Sequence, residues 1–190
     1  MHDSPLLDTF EPALVAVQRL IEHFSDQGIV IGGVAASLLG KPRLTADVDA
    51  MLLVSPEQLP ELLQIAAHEG LLARIQDAES FARRNRVLLL VDTASQTNVD
   101  ISLGVLPFEV EAVERSVVQE IRSLRLRLPT PEDLIILKAV AHRAKDLSDI
   151  EEVINRQPAL DWARIESWVK QFAEVLESPE LWTDIQRLRR

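Results

Sequence analysis

Residues 28–54 constrain the fold more than any other stretch of the chain. An apolar run, Gly28-Ile29-Val30-Ile31, meets Gly32-Gly33 and passes straight into Val34-Ala35-Ala36-Ser37-Leu38-Leu39. A polar loop carrying Lys41, Arg43 and Thr45 follows, and Asp47-Val48-Asp49 then opens a second apolar run that ends at Val54. Ile29–Ile31 reads as a short buried strand, Val34–Leu39 as a helix entered from the glycine pair, and Val48–Val54 as a second strand. Strand, turn, helix and strand in this order make an α/β unit.

The unit carries a chemical pattern as well. Residues i and i+2 of a strand point to one face, so the Asp47 and Asp49 carboxylates can share a divalent ion. They can equally bridge two ions about 3.5–4 Å apart. Glycines let backbone N–H groups approach a phosphate closely, and the helix start adds donors and a favourable dipole. Alone, each signal is modest. With 13 aspartates in 190 residues, about one Asp-x-Asp is expected by chance. Two acids at an exposed strand entrance and an ordinary strand-to-helix turn fit the same residues.

The remaining pattern predicts a mixed sheet flanked by helices. Leu14, Val15, Val17, Leu20 and Ile21 recur at helical spacing over 11–25. Ser55-Pro56-Glu57 starts a helix that ends near Gly70. Residues 86–91 and 97–103 read as strands, the second with Val99, Ile101 and Leu103 on one face and Asn98, Asp100 and Ser102 on the other. Leu124, Leu126 and Leu128 alternate with Arg125 and Arg127 as in an edge strand. Thr130-Pro131-Glu132-Asp133 starts a helical stretch that runs to the end, broken near Pro158 and Pro179. The expectation is an α/β (α+β) chain forming one unit over 1–190, with a core at 25–128 and a helical segment at 129–190.

Composition narrows the chemistry. The absence of cysteine excludes disulfides, thiolate zinc sites and a cysteine nucleophile. His2, His23, His68 and His142 show no zinc-ligand spacing. A net charge of −10 gives no global attraction to nucleic acid or anionic membrane. A polyanion would need a local patch, such as Arg83, Arg84 and Arg86 or Arg122, Arg125 and Arg127. No apolar stretch reaches membrane-spanning length, and Met1-His2-Asp3-Ser4-Pro5 is not a signal peptide, so a cytoplasmic location is expected.

Further residues join the acid pair. Asp100 lies opposite the apolar face of its strand, where it suits a general base on an acceptor hydroxyl or a further metal ligand, or else a solvent-facing strand acid. Lys138 sits in an apolar helical segment and needs either an anion or an exit to water. Lys138, His142, Lys145 or Asp146, and Asp149 share a helical face in this reading. Lys138 then reaches nucleotide phosphates with Asp146 fixing it or aiding the metal site, or the face is simply solvated. In the first case removing Lys138 weakens nucleotide binding more than folding. Arg43 and Thr45 either contact phosphates or form a polar loop.

In this order of strand, Gly-Gly, helix, Asp-x-Asp strand and later strand aspartate, the chain resembles the DNA-polymerase-beta-like nucleotidyltransferase superfamily. Gly32-Gly33 is similar to its Gly-[Gly/Ser] motif, Asp47-Val48-Asp49 to its acid–hydrophobic–acid motif, and Asp100 to its third carboxylate. Lys138 and Lys145-Asp146 resemble the helical lysine and Arg/Lys-Asp element of minimal bacterial members, including abortive-infection toxin enzymes. The resemblance covers residues 28–150. It implies transfer of a nucleoside monophosphate from an NTP to an acceptor hydroxyl, with release of pyrophosphate. It further implies Mg2+ (or Mn2+) on Asp47, Asp49 and Asp100, and phosphates held by Gly32, Gly33, Arg43, Thr45, Lys138 and Asp146. The acceptor stays open among RNA, a small molecule and a protein. A catalytically silent nucleotide-binding module, or a toxin–antitoxin component with a cognate antitoxin, is the other reading.

Overall fold

A computed structural model describes residues 5–189; Met1–Ser4, including His2 and most of the N-terminal segment read above for a signal peptide, lie outside the described residues. Helix α1 (Pro5–His23) leads into β1 (Gly28–Ile31), α2 (Gly32–Leu39) and β2 (Asp47–Leu52). A single turn at Pro56–Gln58, α3 (Leu59–His68), β3 (Leu71–Ala73), α4 (Ala78–Asn85), β4 (Val87–Asp92) and β5 (Asn98–Leu103) follow. Then come α5 (Pro107–Glu114), β6 (Val117–Ile121), β7 (Leu124–Leu128), α6 (Pro131–Ala141), α7 (Ala144–Arg156), α8 (Trp162–Val175) and α9 (Glu180–Leu188).

The five-stranded sheet has the order β1-β2-β5-β4-β3. Only β2 and β5 run parallel; β1 on β2, β4 on β5 and β3 on β4 are antiparallel. This is the mixed α/β sheet with flanking helices that the sequence predicts. β6 and β7 form a separate hairpin whose inner strand contacts β1 and α1.

The strand period places the site. Val48 and Ala50 of β2 and Val99 and Ile101 of β5 are fully buried, while Asp47, Asp49 and Asp100 between them are only partly covered. Successive side chains point to opposite faces, so the acids share the less enclosed face. Helix α1 backs the other face: a Cβ on Gly28, which pairs with Leu52, would meet Ile21 of α1. One contiguous apolar cluster runs from Phe10 in α1 to Ile185 in α9. Roughly 25 cal/mol per Å² of apolar surface drives that burial.

Four elements carry too little local signal to be read from sequence. β3 has three residues, and α4 begins at Asp77 in the left-handed conformation, with few apolar positions. β6 is largely exposed and α5 is held by Glu109 accepting from the N–H groups of Val105 and Leu106. A further correction concerns the last third. The helical stretch breaks at His142, whose φ is +49°, so Lys138 lies on α6 and Asp146 and Asp149 on α7. They face one another across a helix corner instead of sharing one helix face. No glycine or proline marks the break; a histidine in the left-handed region makes it, which few non-glycine residues do. No helix among the described residues is long and apolar enough to cross a membrane.

Candidate active site

The acid pair is built by β2 and secured by its neighbours. Asp49 aligns with Asp100 across the parallel β2–β5 pair, and Asp47 with Asn98. The Asp47, Asp49 and Asp100 side chains therefore lie on one face, close enough for their charges to act on each other. Thr45 Oγ1 donates to Asp47 Oδ1 at 3.1 Å. As placed, Thr45 orients Asp47.

The glycine pair is shaped around these acids. Gly32 has φ +63°, and a Cβ there would sit 1.9 Å from Asp49 Oδ2. Gly33 would place a Cβ 2.4 Å from Thr45 Oγ1. Only glycine at 32 satisfies both the left-handed backbone and the carboxylate packed on it. The Gly33 N–H at the start of α2 hydrogen-bonds Asp49, so this donor serves the acid in the structure. Ser37 Oγ donates to Gly33 O at 2.9 Å and to Arg43 O at 3.3 Å, which fixes the loop between α2 and β2.

Facing the sheet, α6 and α7 present a charge network. Lys138 is 4% exposed, and its Nζ donates to Asp146 Oδ1 at 3.1 Å and Asp149 Oδ2 at 2.7 Å. Arg43 grips Asp149 with two bonds, Nε to Oδ1 at 2.6 Å and Nη2 to Oδ2 at 2.7 Å. Arg143 grips Asp146 from Nε at 2.6 Å and Nη2 at 3.2 Å. Burial pushes the Asp146 and Asp149 carboxyls up, but these cationic partners outweigh it and hold both below the ordinary aspartate value. Arg43 is raised, chiefly by its bonds to Asp149.

The cleft between these walls is lined by Gly32, Gly33, Asp47, Asp49, Lys138 and Arg143, with Lys145 exposed at its edge. A contiguous cavity of about 240 Å³ shares Asp49, Lys138 and Arg143 and has an apolar floor of Ile31, Leu134, Leu137 and Ala141. A separate cavity of about 130 Å³ between α1 and the β6–β7 hairpin contains none of these residues. The two arginine clusters lie elsewhere as well: Arg83 pairs with Glu79, Arg86 donates to Leu103 O, and Arg127 pairs with Asp26.

The charges are unevenly matched. Burial first, then the charges of Asp47 and Asp100, push the Asp49 carboxyl above its ordinary value. Asp100 is raised by burial, while its partner Arg74, whose Nη2 contacts Asp100 Oδ1, pulls the other way. Asp47 and Asp49 have no salt-bridge partner among the described residues; the Gly33 N–H and then the charge of Arg143 favour ionised Asp49, and Arg43 and Arg143 act on Asp47 by charge alone. Two adjacent carboxylates short of positive charge suit a hard divalent cation. Among the described residues no three acidic or histidine side chains stand close enough to hold an ion together. Two carboxylates completed by phosphate and water match the habit of magnesium.

Two residues of this site are missing from the sequence-based set, and Asp149 is named there only as part of the Lys138 face. Arg143 follows the unmarked corner at His142. Arg74 is brought in by sheet register alone, 26 residues from Asp100.

The model of a family described as "Nucleotidyltransferase of unknown function (DUF6036)" matches residues 12–186. No curated protein matches the chain in sequence. An antigenic nucleotidyltransferase-like protein from Paracoccidioides brasiliensis superposes with a TM-score of 0.55 at 15% identity, covering 94% of this chain and 93% of that one. The antibiotic-resistance factor ANT(2'')-Ia, in its solution structure, gives 0.51 at 16% identity, covering 96% and 92%. At such identities the likeness is one of fold.

Proposed function

Because the chain belongs to that nucleotidyltransferase family, we propose that it transfers a nucleoside monophosphate from an NTP to an acceptor hydroxyl and releases pyrophosphate. The observation that carries this reading is the placement of Asp47 and Asp49 in one cleft with Lys138, Arg143 and Lys145, with Asp100 beside Asp49 on the same sheet face. Acids that need a cation and cations that suit phosphates line the same cleft.

Asp47 and Asp49 would hold Mg2+ or Mn2+, which would supply positive charge to the triphosphate and its leaving group. Gly32 keeps the floor of the cleft free of side chain, and Thr45 holds Asp47 in place. Arg143 and Lys145 offer donors to phosphate oxygens from the helical wall. Lys138 and Asp146 act behind them, as the buried bonds that fix this wall. Asp100, beside Asp49 on the same sheet face and held by Arg74, is the carboxylate that would take the proton of the acceptor hydroxyl. The remaining catalysis is positioning and charge stabilisation.

The test is incubation with labelled NTPs, Mg2+ and fractionated cell extract. One fraction takes up label from the wild type and none does from Asp49→Asn. Uptake that survives Asp49→Asn would overturn the proposal, as would a wild type that labels nothing.

A further inference from the structure

One row of register crosses the sheet through the acids. Ile31 pairs with Asp49, Asp49 with Asp100, and Asp100 with Leu89. The row continues to Arg74, the residue after β3, whose N–H donates to Leu89 O at 3.0 Å. Residues in one row project to one face. The Arg74 side chain therefore lies over Leu89, and its guanidinium reaches Asp100 two strands away. Both partners are partly covered, at 26% and 30% exposure, so the contact is sheltered without being sealed.

The three carboxylates thus divide. Asp100 has a cation supplied by the sheet itself. Asp47 and Asp49, one strand further along the row, have a threonine hydroxyl and a backbone N–H but no direct ion pair among the described residues. The deficit of positive charge is confined to that pair.

We propose that Arg74 supplies, as a built-in side chain, the positive charge that a second divalent ion would supply at Asp100, so that this centre takes one ion on Asp47 and Asp49. The inference rests on the reading of the centre given above and adds a residue that sets its metal stoichiometry. It also explains why three acids on one face do not converge into a three-ligand cage: the third is turned to an arginine.

Mn2+ binding, followed by the electron paramagnetic resonance of the free aqua ion without nucleotide, tests this apart from turnover. The wild type should bind one Mn2+ per chain. Arg74→Gln unmasks Asp100 and should tighten Mn2+ binding by about tenfold or more, as expected for removing a nearby positive charge. The double variant Arg74→Gln/Asp100→Asn removes the pair together and should return to within about threefold of wild type, since neither partner then acts on the ion. Two Mn2+ per wild-type chain would overturn the inference and leave the proposed function standing. So would an Arg74→Gln affinity that is unchanged or weaker, or a double variant at least about tenfold weaker than wild type, which would make Asp100 a ligand. If Arg74→Gln does not fold by circular dichroism, the wild-type stoichiometry and the double variant still decide. No Mn2+ on any folded variant would overturn the cation reading of the whole centre.

Discussion

Replacing Lys138 with methionine should destabilise the fold more than it affects nucleotide binding, the reverse of what the isolated lysine in an apolar segment suggests. The ammonium lies 3.1 Å from Asp146 Oδ1 and 2.7 Å from Asp149 Oδ2, with the three side chains 5%, 0% and 6% exposed. Methionine preserves most of the volume and leaves two buried carboxylates without their shared cation. Breaking a buried ion pair by removing one partner costs about 3–5 kcal/mol. Arg43 and Arg143 each keep one carboxylate partly compensated, so a loss of about 2–4 kcal/mol is expected here. Urea unfolding at pH 7 measures it.

The pH dependence follows from the same carboxyls. Asp146 and Asp149 are held below their ordinary value in the folded state. Their contribution is complete above the unfolded value of about 3.9 and is lost as pH falls through the lower folded value. Without Lys138 both carboxyls rise, so less is lost on acidification. The gap between wild type and Lys138→Met should therefore narrow below about pH 4. Adding Asp146→Asn to Lys138→Met should recover part of the loss, and the cycle gives the coupling. A loss under about 1 kcal/mol at pH 7, or a gap that widens in acid, would refute the reasoning.

Other variants probe the rest of the site. Asp49 has a raised folded carboxyl, so its ionisation opposes folding as pH rises through that value. Asp49→Asn should then melt slightly above wild type at pH 7 and level with it below about pH 4, while losing Mg2+-dependent transfer. Gly32→Ala should cost at least about 2 kcal/mol by thermal unfolding, since it combines a left-handed backbone with overlap on Asp49; a neutral result would show that Asp49 is free to move. His142→Ala removes the 3.1 Å contact of Nε2 with Asp184. It should cost about 0.5–1.5 kcal/mol and raise hydrogen exchange at the α6–α7 corner; unchanged exchange would place the rigidity elsewhere.

What the sequence discloses here depends on how local the cause is. Strand alternation around Val99 and Ile101 and the glycines before Val34 act within a few residues, and they give the sheet and its acid-bearing face. The corner at His142 rests on a left-handed histidine, so α6 and α7 read as one helix, and Lys138 and Asp146 are placed on one helix face when they meet across a corner. Arg74 reaches Asp100 through the pairing of β3, β4 and β5, a relation between distant segments that no local pattern encodes. The same holds for Arg43 and Asp149, which are 106 residues apart.

The division of charge between the two halves of the chain has a consequence for how they depend on each other. The sheet half brings Asp47, Asp49 and Asp100 together. The helical half brings Lys138, Arg143 and Lys145, and its position is fixed by bonds that cross the cleft or lie behind it. Arg43 joins the loop before β2 to Asp149 of α7, and Arg156 Nη1 donates to Gly40 O at 3.1 Å. Behind α6, the fully buried Asp133 is held by Arg164 of α8 at 2.7 Å. Asp47 and Asp49 on one side repel each other, while Lys138 and Arg143 on the other side are held by carboxylates of their own. On the proposed reading, an anionic nucleotide carrying a metal ion would complement both walls at once. Residues 25–128 without the helices would keep the acids and lose the wall that faces them, so the helical segment belongs to the site as much as the sheet does.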